Sequence, residues 1–176
     1  ELKPNYADSH LNLGSTLKDL GKVQEAELSY RKAIELKPDS VEAHSNLGAT
    51  LKDLGRLQEA FDSYLKALEL NPKFSSIYIY ITMFLRDADL SLLNKSKLED
   101  ILNILLENNY LNHSELFRPF NHICSNKLLS KLEIIESDFS QKESFKSFIQ
   151  NKLIIKALKV FVLADMRWEK ILTKIR

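Results

Sequence analysis

Glycine, proline, cysteine and tryptophan are all scarce in this sequence: four, four, one and one among 176 residues. The glycines stand at positions 14, 21, 48 and 55, so the last 121 residues contain none. A phosphate-cradling loop needs glycine where backbone amides close on an anion, which excludes P-loops and Rossmann-type turns. The lone Cys124 excludes an internal disulfide and fits a reducing compartment. No sign of charge dominates either, with 25 Lys and Arg against 24 Asp and Glu for a net of +1. Neither a nucleic-acid nor a membrane partner is expected for a chain so balanced. No unbroken apolar run exceeds five residues, as at Val160 to Ala164, far below the roughly 20 needed to span a bilayer. No charged-then-apolar leader opens the sequence, so the expected location is cytoplasmic. No cofactor is expected.

What the sequence does have is self-similarity. Sliding it by 34 positions places Gly14 on Gly48, Gly21 on Gly55, Ala26 on Ala60, Tyr30 on Tyr64 and Pro38 on Pro72, and 20 of 34 positions agree between 6–39 and 40–73. The same offset lays Glu35-Leu36-Lys37-Pro38 on Glu1-Leu2-Lys3-Pro4. The opening residues are therefore expected to be the tail of an earlier repeat, and the chain a piece of a longer array.

Each unit reads as two amphipathic helices, from about Ala7 to Leu20 and Val23 to Leu36, with copies near 41–54 and 57–70. Leu13, Leu17 and Leu20, then Ala26, Tyr30 and Ala33, recur at helical spacing. Gly21 and Gly55 stand where the first helix must stop in a left-handed cap, and Pro38 and Pro72 end the second. Gly14, Ala26 and Ala33 let the paired helices approach closely enough to bury Leu17 and Tyr30. Residues 75–86 begin a third unit, with Tyr78, Ile81, Thr82 and Leu85 on the offsets of His44, Leu47, Gly48 and Leu51. The pattern then fails, with Asn94 where Ala60 stands. Ser75–Arg86 is expected to cover the open end of the stack.

Asn-Leu-Gly at 12–14 and 46–48, Glu-Ala at 25–26 and 59–60, Tyr30/Tyr64, Ala33/Ala67 and Pro38/Pro72 together resemble the tetratricopeptide repeat (TPR). His10 and His44 replace its usual large residue early in the first helix, and Leu17 and Leu51 its usual tyrosine later on. The resemblance implies a scaffold that holds a peptide or partner helix in a concave groove lined by first helices.

The remainder has no glycine and no period-2 alternation, so the whole chain reads all-α: a short TPR superhelix, then a helical bundle-like domain. Ser96-Lys97-Leu98-Glu99 has capping-box spacing, followed by an apolar face of Leu98, Ile101, Leu102 and Leu105. Ser114 is expected to cap a helix through about Ile123 that Pro119 limits or kinks. Further helices are predicted near 127–137, 140–150 and 152–175. The expected divisions are 1–4 (tail of a preceding repeat), 5–39 and 40–73 (two repeats), 74–94 (capping helix and connection) and 95–176 (C-terminal helical domain). Asn94 to Leu98, Glu115 to Phe117 and Trp168 to Arg176 are similar to the helical region between a TPR array and a methyltransferase-like domain in some large bacterial proteins. That similarity implies architecture only, since none of these stretches is a catalytic motif.

Asp8, Asn12, Ser15 and Asp19 share one helix face at spacings of four, three and four, and Glu42, Asn46, Ala49 and Asp53 repeat it. An asparagine amide donates and accepts at once, which suits it to hold an extended peptide backbone. TPR arrays of the O-linked N-acetylglucosamine transferase type are similar in presenting such asparagines. The plainer reading is a solvated face. Lys18 and Lys52 could join Asn12 and Asn46 in clamping a terminal carboxylate, but Asp19 and Asp53 offset them. His113, His122 and Cys124 match no common zinc spacing, and nothing orients them as a nucleophile pair; no metal and no catalytic residue are expected. The segment 142–176 carries nine Lys or Arg against three acids. Its Lys152, Lys156 and Lys159 read best as a solvated stripe.

The expected function is a non-catalytic protein-interaction module that binds a protein or peptide in the concave groove. The alternative is a substrate-recruiting part of a larger bacterial methyl- or glycosyltransferase. Self-association through exposed repeat ends is a third expectation.

Overall fold

In the computed structural model, residues 5–107, 113–116 and 118–123 are described. They are helical throughout their regular elements, with no strand among the described residues, and no described helix is long and apolar enough to cross a membrane. The predicted helices near 127–137, 140–150 and 152–175, the basic stretch 142–176 and Cys124 lie outside the described residues. The chain divides into two compact units between Asn94 and Lys95.

The first unit holds α1 (Asn5–Asp19), α2 (Val23–Leu36), α3 (Val41–Asp53), α4 (Leu57–Leu70) and α5 (Ser75–Asp87), then a 3₁₀ turn over Leu90–Leu92. α1 pairs with α2 and α3 with α4, while α3 also packs on α2 and α5 on α4. Gly21 and Gly55 both adopt φ +75°. In each case the residue after the glycine donates its amide across the turn, Lys22 to Leu17 O at 2.8 Å and Arg56 to Leu51 O at 2.9 Å. The glycine amide itself bonds Lys18 O or Lys52 O, completing a Schellman cap that satisfies carbonyls the helix leaves open. Ahead of the prolines, Lys37 and Asn71 are forced out of helical geometry, with φ −142° and −145°.

Between paired helices the small residues set the distance. A Cβ at Gly14 would stand 2.6 Å from Tyr30 Cε1, and one at Gly48 2.9 Å from Tyr64 Cδ1, so each tyrosine ring occupies the space a side chain would take at a glycine of the facing helix. Tyr30, Tyr64, Leu51, Phe61 and the alanines at 26, 33, 60 and 67 are buried. α5 joins through Phe84, which stacks on Phe61 at 5.9 Å and meets Tyr64 at 5.5 Å. After α5, Ala88, Leu90 and Leu93 are buried, and the Asn94 amide donates to Gln58 Oε1 at 2.7 Å. The chain following α5 is thereby tied to the start of α4.

In the second unit α6 (Lys95–Glu107) buries Leu98, Ile101, Leu102, Leu105 and Leu106, and a 3₁₀ turn at His113–Leu116 precedes a helical segment at 118–123. Two expectations need correction. The helix begins at Lys95, ahead of Ser96, so Asn94 rather than Ser96 occupies the cap position. Ser114 lies inside the 3₁₀ turn instead of capping a helix through Ile123. Pro119 falls in the first turn of the later segment, where a missing amide costs no helical hydrogen bond.

Candidate functional site

α1, α3 and α5 are successive copies of the first helix of the repeat, and the predicted site residues lie on the first two. Asp8, Asn12, Asp19, Glu42 and Asp53 are exposed; Ser15, Lys18, Asn46, Ala49 and Lys52 are half-buried. The faces that pack are elsewhere: Gly14 against Tyr30 and Gly48 against Tyr64, with Leu47 buried. Asn12 and Asn46 therefore stand at equivalent places on the free side of adjacent helices, and their side chains form no hydrogen bond among the described residues.

The lysines behave differently from what their sequence neighbours suggest. Lys18 pairs with Asp53 at 3.2 Å and Lys52 with Asp87 at 3.3 Å, linking each first helix to the next rather than offsetting Asp19 or Asp53 on their own helix. Asp87 takes a second partner, Arg86, at 2.9 Å. The Arg86 hydrogen bond foremost, and Lys52 with it, hold the Asp87 carboxyl below its usual range against the opposing effect of desolvation. Asp8, Asp19 and Glu42 enter no ion pair among the described residues. With both lysines engaged, the face keeps an excess of negative charge.

The pairings also reveal what the sequence reading missed. They set position i of one helix beside i+35 of the next, so the free side continues onto α5 as Ser76, Tyr80, Met83 and Asp87, each 34 residues beyond Glu42, Asn46, Ala49 and Asp53. Tyr80 is 45% exposed and Met83 43%. The repeat offset was the available signal, but identity had been lost there.

Beneath this side lie the two tyrosines. The Tyr30 hydroxyl donates to Ser15 Oγ at 3.2 Å, and Ser15 in turn donates to Leu11 O at 3.2 Å. In the next repeat Ala49 replaces Ser15, and the Tyr64 hydroxyl makes no hydrogen bond among the described residues. Burial raises the Tyr64 phenol well above its ordinary pKa, with Asp53 and then Tyr80 adding to the shift. For Tyr30 burial also raises the pKa, while the Ser15 hydrogen bond pulls it back.

On the second helices a different network ties the repeats. Glu27, largely buried, accepts from Arg31 at 2.8 Å and from Arg56 at 2.7 Å, and Glu59 bonds both arginines. Desolvation favours the neutral Glu27, yet the hydrogen bonds and charges of Arg31 and Arg56 outweigh it and hold the carboxyl below its ordinary value. A shallow hollow of about 480 Å³ lies nearby among Arg31, Ile34, His44, Leu47 and Lys66. His44 serves packing, its Nε2–H donating to Pro38 O at 3.0 Å, as the Tyr78 hydroxyl does to Pro72 O at 2.8 Å. Among the described residues no group of three His, Cys, Asp or Glu is placed to hold a metal. His122 is exposed.

Residues 14–55 match a family model described as TPR repeat, and residues 41–74 one described as tetratricopeptide repeat. No curated protein matches the chain. These repeats generally mediate protein–protein interaction and are typically non-catalytic.

Proposed function

We propose that the chain is a non-catalytic protein-interaction module whose first helices hold an extended segment of a protein partner across α1, α3 and α5. The observation that carries this reading is the pairing of Asn12 with Asn46. Both stand on the free side of adjacent helices at equal repeat positions, and both lack an internal partner for their amides. An amide in that setting can donate to a backbone carbonyl and accept from a backbone N–H at once, holding a strand-like segment largely independently of its side chains. Asp8, Ser15, Lys18, Asp19, Glu42, Ala49, Lys52 and Asp53 surround the pair and tune which segment fits. Two repeats and one further helix make a short surface, so strong binding calls for a second contact elsewhere on the partner.

The test is a peptide array probed with the wild-type chain and with Asn12→Ala/Asn46→Ala. Loss of signal across the bound peptides, with unchanged helicity, is expected. Retention of the same peptides at the same strength would remove the groove mechanism.

A further inference from the structure

We infer that the segment taken by this face is basic and carries one apolar side chain, with its apolar residue at α5 and its cationic residues toward α3 and α1. The inference rests on the groove reading above and adds to it the chemical class of the partner.

Three independent features converge. The first is charge. Of the ionised groups on the free side, Lys18 and Lys52 are committed to Asp53 and Asp87, while Asp8, Asp19 and Glu42 have no ion-pair partner among the described residues. A ligand that brings lysine or arginine meets exposed carboxylates with no cation of their own, whereas an acidic ligand must displace an existing pair to find a cation. The second is the change of character along the repeat position. Asn12 and Asn46 give way to Tyr80, and Ser15 and Ala49 give way to Met83. Both α5 residues are nearly half exposed. An aromatic ring beside an adaptable thioether receives an apolar side chain better than it receives water.

The third is Tyr64. The residue is 4% exposed, its ring is held by Gly48 and Phe84, and its hydroxyl, one repeat on from the Tyr30–Ser15 contact, has no hydrogen-bond partner among the described residues. That hydroxyl is not sealed from water, so it stays open to a hydrogen bond from the free side. Tyr30, one repeat earlier, has its bond already from Ser15. The unmet hydroxyl marks where a backbone carbonyl or N–H of the bound segment enters, between the apolar end at α5 and the acidic stretch beyond it.

The test titrates the full chain with fluorescein-labelled peptides of about ten residues, enough to cross three helices packed about 10 Å apart in extended form. One peptide has alternating lysines and a single leucine near one end; a second replaces the lysines with glutamate; a third replaces the leucine with serine. The lysine–leucine peptide is expected to bind, weakening as salt rises, with the glutamate peptide weaker by at least about tenfold. Asp19→Lys/Glu42→Lys, changed only at exposed positions, is expected to reverse that order. Tyr64→Phe is expected to weaken binding several-fold and Tyr30→Phe to leave it unchanged. Ala49→Ser, which offers Tyr64 the bond Tyr30 already has, is expected to weaken it as well. Tyr80→Ser/Met83→Ser is expected to erase the difference between the leucine and serine peptides.

Equal or tighter binding of the glutamate peptide, still lost in Asn12→Ala/Asn46→Ala, would overturn the basic class while leaving the groove in place. Binding indifferent to the asparagine pair would overturn the groove and this inference with it. A chain that leaves the lysine–leucine peptide free up to about 1 mM, whether because its own segments cover the face or for any other cause, would overturn the inference too.

Discussion

Lys18 on α1 reaches Asp53 on α3 at 3.2 Å, and the same contact recurs one repeat later between Lys52 and Asp87 at 3.3 Å. Each pair crosses between neighbouring first helices, so the lysines act as rungs and are not free to receive an anion. Both partners of each pair remain 30% or more exposed, which limits each contact to about 0.2–1 kcal/mol. Lys18→Met is therefore expected to lower unfolding stability by less than about 1 kcal/mol, and the loss should shrink in high salt. Urea denaturation of Lys18→Met, Asp53→Asn and the double variant measures the coupling directly.

Glycine at 14 and 48 has a stricter requirement. A methyl group there would stand 2.6 Å and 2.9 Å from the rings of Tyr30 and Tyr64, closer than the helices allow without moving apart. Gly14→Ala and Gly48→Ala are each expected to cost about 1–3 kcal/mol through overpacking, despite alanine's better helix propensity. At Gly21, where nothing lies within 4 Å but φ is +75°, alanine costs about 1 kcal/mol from backbone strain alone. Thermal melts followed by circular dichroism separate the two effects when Tyr30→Leu, which removes the ring, is paired with Gly14→Ala.

The helices of the first unit were legible because their signals are local and repeated. Gly21 and Gly55 carry the positive φ expected of a cap, Pro38 and Pro72 follow the second helices, and the ends fall within two residues of the pattern. What escaped were features made by different helices. Glu27 meets Arg56 29 positions away, and its own repeat position in the next unit is Phe61, so no periodicity announces the network. Asp19 looks like the natural partner of Lys18 along the sequence, yet the next helix supplies Asp53. On α5 the offset carries through the packing residues Tyr78, Ile81, Thr82 and Leu85, whereas on the free side Tyr80 and Met83 share no identity with Asn46 and Ala49. Ser96 has capping-box spacing, but two residues of extra helix put Asn94 at the cap.

Acid sensitivity follows from the carboxylates held below their ordinary values. Against the opposing desolvation, Arg31 and Arg56 lower Glu27; Arg56 foremost lowers Glu59, and Arg86 foremost lowers Asp87. The unfolded chain binds protons at those groups first, so their contribution is fully present above the unfolded values and is lost as pH falls through the folded ones. Stability is expected to be level above about pH 5 and to decline below about pH 4.5. Glu27→Gln should lower stability near neutrality by about 1–3 kcal/mol and flatten the acid decline. Urea midpoints across pH for the two chains supply the comparison.

Tyr6 and Leu13 on α1 and Leu20 in the turn after it are 59%, 48% and 67% exposed, whereas Leu47, the copy of Leu13, is buried. A repeat face built to be covered is open here, and concentration-dependent association of the chain is expected. Leu13→Gln/Leu20→Gln should reduce that association while changing stability by no more than about 0.5 kcal/mol per site. Light scattering over a concentration series gives the mass; a monomer at all concentrations would remove this expectation.

The most direct measurement follows the side-chain amide resonances of Asn12 and Asn46 by NMR while the lysine–leucine peptide is added to the full chain. If the free side of the first helices holds the partner backbone, both amides shift together and saturate with one binding curve, and Asp19 and Glu42 variants move that curve without abolishing the shifts. Shifts confined to the second helices, with both asparagine amides unmoved at saturation, would contradict it.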